Sequence, residues 1–407
     1  MLGAVTILWQ EVAAFQHDHG VGAMPGGEPA HQMGADICRE PTLKCAVSAT
    51  PFFAADGKLW LAWAGSGTLS VARSADLGRT FTPPIRVTPT RVHLDDGPDE
   101  RPQIVVDGKG HVVVSYAIFK DDKFNGQALV ASSSNGGVTF SPPRPITPDG
   151  SSQRFVSLAI DPNGNVFASW IDKRNVVAAQ QAHKTFAGAS LAFAWSHDGG
   201  ATFLTTQIAH DNLCECCRLG MAFAGSQRPV VLFRNIFDGE RDHAVMTFAD
   251  PSTPGPVYRV SADHWRIDSC PDHGPSLSIS SNGDYHAAWF SGGGVRRGAF
   301  YAHSADGGRT FSTPMPMGSA ARHPTRPYVV TVGKNVWLAW KEFDGQQTTV
   351  NVMVSHDRGT TWSAPKSIAA TTDFSDHPIL VSDGKHAYLS WLTHNEGYRL
   401  LSVESGS

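Results

Sequence analysis

Apolar and polar positions alternate with a period of two along most of this chain. Lys58-Leu59-Trp60-Leu61-Ala62-Trp63 and Asn335-Val336-Trp337-Leu338-Ala339-Trp340 are representative. Such short runs, rich in Val, Leu and Trp and bounded by Gly and Asp, predict strands and not helices. The runs also repeat. Thr50-Pro51-Phe52-Phe53, a turn at Asp56-Gly57 and an aromatic at Trp63 form the first copy. The phrase returns through Asp107-Gly108 to Tyr116, through Asn163-Gly164 to Trp170, and more loosely at Phe233. Trp289, Trp340 and Trp391 close three further copies. These aromatics are spaced 53, 54, 63, 56, 51 and 51 residues apart, a period of about four strands. Seven copies at that period predict an all-β propeller of seven four-stranded blades.

A second pattern follows in most copies, Ser-x-Asp-x-Gly-x-Thr and then Phe or Trp. It occupies Ser74 to Phe81, Ser196 to Phe203, Ser304 to Phe311 and Ser355 to Trp362, with Asn135 replacing Asp in Ser133 to Phe140. The short side chains suit a self-capped turn. The carboxylate accepts backbone N–H groups, Gly takes the positive φ, and the Thr hydroxyl ties back. This repeat resembles the Asp-box, or BNR repeat, of the sialidase-like β-propeller superfamily, from about residue 45 to the end. Sialidases have six blades, which is the alternative to the count of seven. The fourth copy departs, with Phe248-Ala249-Asp250-Pro251 in the turn's place. The seventh ends after three strands, so ring closure is expected to use an N-terminal strand, which removes an exposed edge. The expected layout is a leader over 1–37, partly disordered, and a propeller over 38–407.

Composition narrows the function. A net charge of −4 and a pI near 6.5 give no reason to expect a nucleic-acid partner. No stretch is long and apolar enough for a membrane span. The apolar start, Met1 to Trp9, lacks a basic leader and reads poorly as a signal peptide. The cysteines, six in number, still suit an oxidising compartment, so a periplasmic or secreted protein is expected.

In this repeat the two turn sets share one face, and the variable connections share the other, where function usually resides. The connections hold Cys38, Cys45, Asp95, Asp96, Arg101, Arg154, Cys214, Cys216, Cys217, Arg218, Cys270, His273, Arg326 and Asp376-His377. Cys214, Cys216 and Cys217 with Cys270 and His273 form a donor set for copper or zinc. A leader containing His17, His19, Met24, His31 and Met33 favours copper. Disulfides, including Cys38 with Cys45, are the other reading of the same cysteines. The sialidase resemblance implies a different chemistry. That family clamps a substrate carboxylate with three arginines, which Arg101, Arg154, Arg218 and Arg326 would supply. It cleaves with a Tyr nucleophile, a Glu partner and an Asp acid. Tyr328, Tyr398 with Glu396, and Asp95, Asp96 or Asp121 are the positions available. Three functions follow: a metal or small ligand at the mouth, a sialidase-like glycoside hydrolase, or a scaffold for a protein partner with structural disulfides.

Overall fold

The computed structural model describes residues 42–269 and 272–404. The leader, Cys38 and Cys270 lie outside the described residues, and so does any N-terminal strand. The fold is nearly all β, in six hydrogen-bonded antiparallel sheets. The sheet that begins at Gln153–Ile160 has eight strands, two meanders joined where Leu213 pairs with Asn235. The sheet of Gln103–Val106 has five strands, because Leu94–Asp95 adds to Val112–Phe119. The last sheet, from Ile379–Ser382 to Gly397–Ser402, has three. The expected repeat is visible in each meander, an inner strand pairing antiparallel with the second strand.

The inner strands touch in succession. Ser48–Phe53 meets Gln103–Val106, which meets Gln153–Ile160, followed by Gly220–Phe223, Ser276–Ile279, Thr325–Val332 and Ile379–Ser382. Ile379–Ser382 in turn meets Ser48–Phe53. Between them lies a cavity of about 610 Å³. The second strands hold the core. Trp170, Phe233, Trp289, Trp340 and Trp391 are completely buried, and Trp63 and Tyr116 nearly so. These are the aromatics whose spacing defines the repeat. Burying each one stabilises the protein by roughly 2–3 kcal/mol, so the spacing records where the core lies.

The Ser-x-Asp turns join the third strand to the outer one and cap themselves. Asp198 Oδ1 accepts the Thr202 N–H at 2.9 Å, and Oδ2 accepts the Thr202 hydroxyl at 2.6 Å. Ser196 Oγ accepts the Gly200 N–H at 2.9 Å. Gly200 has φ +83°, and a Cβ there would stand 2.4 Å from Val113, so both conformation and packing require glycine. Asn135 serves the same role, accepting Thr139 N–H at 3.0 Å. The fourth turn differs as its sequence does. Asp250 caps Ser252, and Pro251 C=O accepts the Trp195 indole N–H at 2.7 Å.

One element departs from the all-strand expectation. Arg174–Gln181 is an α-helix in a connection read as a plain loop. Its Ala-Ala-Gln-Gln end has good helix formers. Asp172 starts it by accepting the Arg174 backbone N–H at 2.9 Å.

Candidate functional site

At one end of the cavity, residues from distant parts of the chain converge. Arg101 and Asp376 are both buried and paired, with Nη2 to Oδ1 at 2.5 Å. Arg101 Nη1 also donates to Ala49 C=O at 3.1 Å, and Asp376 Oδ2 accepts the Ala49 N–H at 3.0 Å. This pair therefore links the first, second and last sheets. Arg154 is engaged too. It binds Asp95 bidentately through one guanidinium edge, Nε to Oδ2 and Nη2 to Oδ1, the latter at 2.8 Å, and lies over the Phe155 ring at 4.8 Å. Neither arginine is a free clamp, because a buried guanidinium needs a charge partner.

Arg218 and Arg326 differ, since they share one carboxylate. Asp99 accepts Arg218 Nη1 on Oδ1 at 2.8 Å and Arg326 Nη1 on Oδ2 at 2.5 Å. Arg218 Nη2 is buried without a hydrogen-bond partner. Arg326 also donates to the Asp272 carbonyl, and its backbone has φ +53°. His377 lies 3.3 Å from Arg218 Nη1. Burial, then the Arg326 charge, hold His377 well below the usual histidine range, so the ring is neutral. Tyr328 lines the same cavity as Arg101, Arg218 and His377, and burial raises its phenol, which stays protonated. Glu100 is buried, accepts the Phe155 N–H, and is pushed up by burial and then by Asp95.

The remaining positions expected from the sialidase resemblance do not come together. Asp121 is exposed and caps its own turn, accepting Lys123 N–H at 3.0 Å. Tyr398 accepts from Ser390 Oγ at 3.1 Å and packs on Phe81, while Glu396 pairs with Arg399. No Glu hydrogen-bonds a tyrosine hydroxyl among the described residues.

The place of Cys214, Cys216 and Cys217 in the repeat suggested the mouth, but none of the three lines the cavity. Cys214, Cys216 and Cys217 are only 1–3% exposed and part of the core shared by the third and fourth meanders. Their connection folds inward because its flanks, Leu213 and Leu219, are core residues. Their sulfurs all lie within 4.8 Å of one another, with Cys214 and Cys216 at 3.7 Å. Arg234 Nη1 donates to Cys217 Sγ at 3.0 Å, and Arg241 Nη1 to Cys214 Sγ at 3.5 Å. Cys214 is held well below the usual thiol range by donation from Cys216 and Cys217, and burial pushes Cys217 up. His273 is not in this cluster. Its ring stacks on Phe290 at 4.1 Å. Cys45 is disulfide-bonded.

Asp99, Asp376, Arg234 and Arg241 carry no local sequence signal of a role. Each acts through a partner far along the chain, which no local spacing reveals. The only hint was position, since Asp99 and Asp376 both immediately precede inner strands.

No protein family and no curated protein matches the chain. Solved structures do. A protein of unknown function from Dyadobacter fermentans is 15% identical over 74% of this chain and 92% of its own, with TM-score 0.51. An ulvan lyase, from a new family of polysaccharide lyase, is 12% identical over 88% of this chain and 94% of its own, with TM-score 0.59. A leech intramolecular trans-sialidase is 12% identical over 86% of this chain and 83% of its own, with TM-score 0.50. At these identities the likeness is one of fold. The expected sialidase-like architecture holds at that level.

Proposed function

We propose that this chain is a seven-bladed propeller that binds an acidic saccharide at the mouth of its central cavity and cleaves it by elimination. The succession of inner-strand contacts, which returns to Ser48–Phe53, supports the ring. One observation carries the ligand: Arg218 presents a buried, unpartnered Nη2 at a cavity that Tyr328 and neutral His377 also line. A buried guanidinium nitrogen without an acceptor costs about 1–3 kcal/mol, which a ligand carboxylate would recover. Asp99 holds Arg218 and Arg326 on one carboxylate.

The reaction follows from the groups at hand. Arginines that neutralise a uronate carboxylate make the proton on the adjacent carbon acidic. His377 takes that proton, the electron pair forms the ring double bond, and the C–O bond to the leaving sugar breaks. Protonated Tyr328 gives its proton to the departing oxygen. Hydrolysis of the sialidase kind is less well supported, because it requires a Tyr–Glu pair. Ulvan lyase shares the architecture, which is consistent with this reading. A periplasmic or secreted location fits both a polymeric substrate and the Cys45 disulfide.

The test is turnover of uronate polysaccharides such as ulvan, read as ultraviolet absorbance of the new double bond, beside a fluorogenic sialoside. The expected result is absorbance with a uronate polymer and no sialoside turnover. Reducing ends released without absorbance would replace elimination by hydrolysis. No binding of any acidic saccharide would remove the proposal.

A further inference from the structure

The cavity below the mouth is built in tiers, and one tier holds polar groups that the proposed reaction leaves unused. The residue just before each repeat aromatic pairs with one inner-strand residue, from Thr50 opposite Ala62 and Gln103 opposite Ser115 to Ile379 opposite Ser390. All seven of these inner-strand partners line the cavity, so they form one tier across it. Side chains two apart on a strand share a face. Two residues toward the mouth, Arg101, Arg218 and His377 line the cavity, and two residues the other way Phe52, Val105, Ala159 and Ala222 line it. A charged tier, a polar tier and an apolar tier therefore follow one another. Two residues of strand rise about 6.6 Å, comparable to the length of one pyranose unit.

The side chains of the polar tier are not equally engaged. Ser157 Oγ donates to the Leu219 carbonyl at 3.4 Å, and Ser276 Oγ accepts the Val329 N–H at 3.1 Å. Gln103 Nε2 donates to the Arg101 carbonyl at 3.3 Å, but its Oε1 accepts no hydrogen bond among the described residues. Thr50, on the neighbouring inner strand, is 8% exposed, and its Oγ1 is buried without a partner. An amide oxygen and a hydroxyl thus stand on adjacent strands with hydrogen bonds unmade. A suitable ligand recovers the free energy that such unmade bonds cost.

We propose that Gln103 and Thr50 are specificity-determining residues that read a ring hydroxyl of the uronate unit held by Arg218, which rests on the saccharide reading above. A sugar hydroxyl is both a donor and an acceptor. Its hydrogen goes to Gln103 Oε1, and its oxygen accepts the Thr50 hydroxyl. The carboxylate lies in the charged tier and this hydroxyl one tier below. Tyr328 belongs to the same tier as Gln103, separated from it by two inner strands on one side and three on the other. The proton donor and the hydroxyl readers thus meet the sugar from different sides. The apolar tier offers no partner to a hydroxyl, so a polar ring gains nothing by descending further. A site built to hydrogen-bond a hydroxyl rejects a ligand that lacks one, because its own groups then stay unpaired.

The test compares two carboxylates of one ring each, glucuronate and cyclohexanecarboxylate, of which only the first carries hydroxyls. Affinities are read by nuclear magnetic resonance titration of the full chain. The wild-type chain should bind glucuronate at least about 10-fold more tightly than cyclohexanecarboxylate. Gln103→Met should weaken glucuronate by about 10-fold and Thr50→Val by about 3-fold, while cyclohexanecarboxylate keeps its affinity in both. Arg218→Ala should weaken both ligands. Glucuronate affinity unchanged in Gln103→Met and Thr50→Val, with Arg218→Ala still weakening it, overturns the hydroxyl site and leaves the anion site standing. Equal weakening of the two ligands by Gln103→Met overturns it as well. A wild-type chain that binds neither ligand overturns the saccharide reading and this proposal together.

Discussion

The two ends of the strands hold their charges in opposite ways. On the turn end, Asp76, Asp198, Asp306 and Asp357 are each satisfied by neighbours within four residues. On the mouth end, Arg101 reaches Asp376, 275 positions away, and Arg326 reaches Asp99, 227 positions away. A turn that caps itself stabilises one hairpin and can be repeated without reference to the rest of the chain. A charge held by a distant partner exists only once the sheets are assembled. That end is costly to build and is also the end that presents an unsatisfied donor to a ligand.

The largest expected effect comes from breaking a long-range pair. Asp376→Ala leaves Arg101 buried and uncompensated and also frees the Ala49 N–H. The expected loss is about 3–5 kcal/mol in denaturant unfolding. A loss below about 1 kcal/mol would mean that the mouth pairs are no more important than surface ones.

Acid probes a buried group within one sheet. His286 accepts or donates to Tyr301 Oη at 2.7 Å, and burial lowers its pKa from 6.5 to about 4. Above pH 6.5 the ring is neutral folded and unfolded, and it does not affect stability. As pH falls from 6.5 toward 4 the unfolded chain takes up a proton that the folded chain refuses. Stability then falls by about 1.4 kcal/mol per pH unit from this group, levelling below its folded pKa. His286→Asn should flatten the slope of stability against pH in that window. His377, whose depression depends partly on Arg326, should titrate higher in Arg326→Ala by nuclear magnetic resonance, while His286 stays in place.

The smallest effect belongs to a turn. Asp198→Ala removes hydrogen bonds to Thr202 and Ser196 at a partly exposed site. About 1 kcal/mol of stability should be lost, with saccharide binding unchanged. A change in binding from this variant would break the separation of the two ends.

This division also explains what could be read from the chain alone. The strands, the aromatics from Trp63 to Trp391 and the Ser-x-Asp turns were legible because their physics is local and periodic. The three-stranded last sheet was legible as a truncated repeat. The site was legible as a list of residue types at one end of the strands, but not as pairs. Nothing near Arg101 indicates Asp376, and nothing near Arg218 indicates that Arg326 shares its carboxylate. The cysteine connection was misplaced for the same reason. Its repeat position points to the mouth, but Leu213 and Leu219 draw it into the core, where Arg234 meets it.

The most direct measurement is binding of an acidic oligosaccharide, by calorimetry, to the wild-type chain and to Arg218→Ala and Arg218→Lys. The unpartnered Nη2 predicts binding to wild type, a loss of at least about 2 kcal/mol in Arg218→Ala, and partial rescue by lysine, which keeps the charge but not the fork. Equal affinity in all three chains, each with wild-type unfolding behaviour, would contradict an anion site at the mouth.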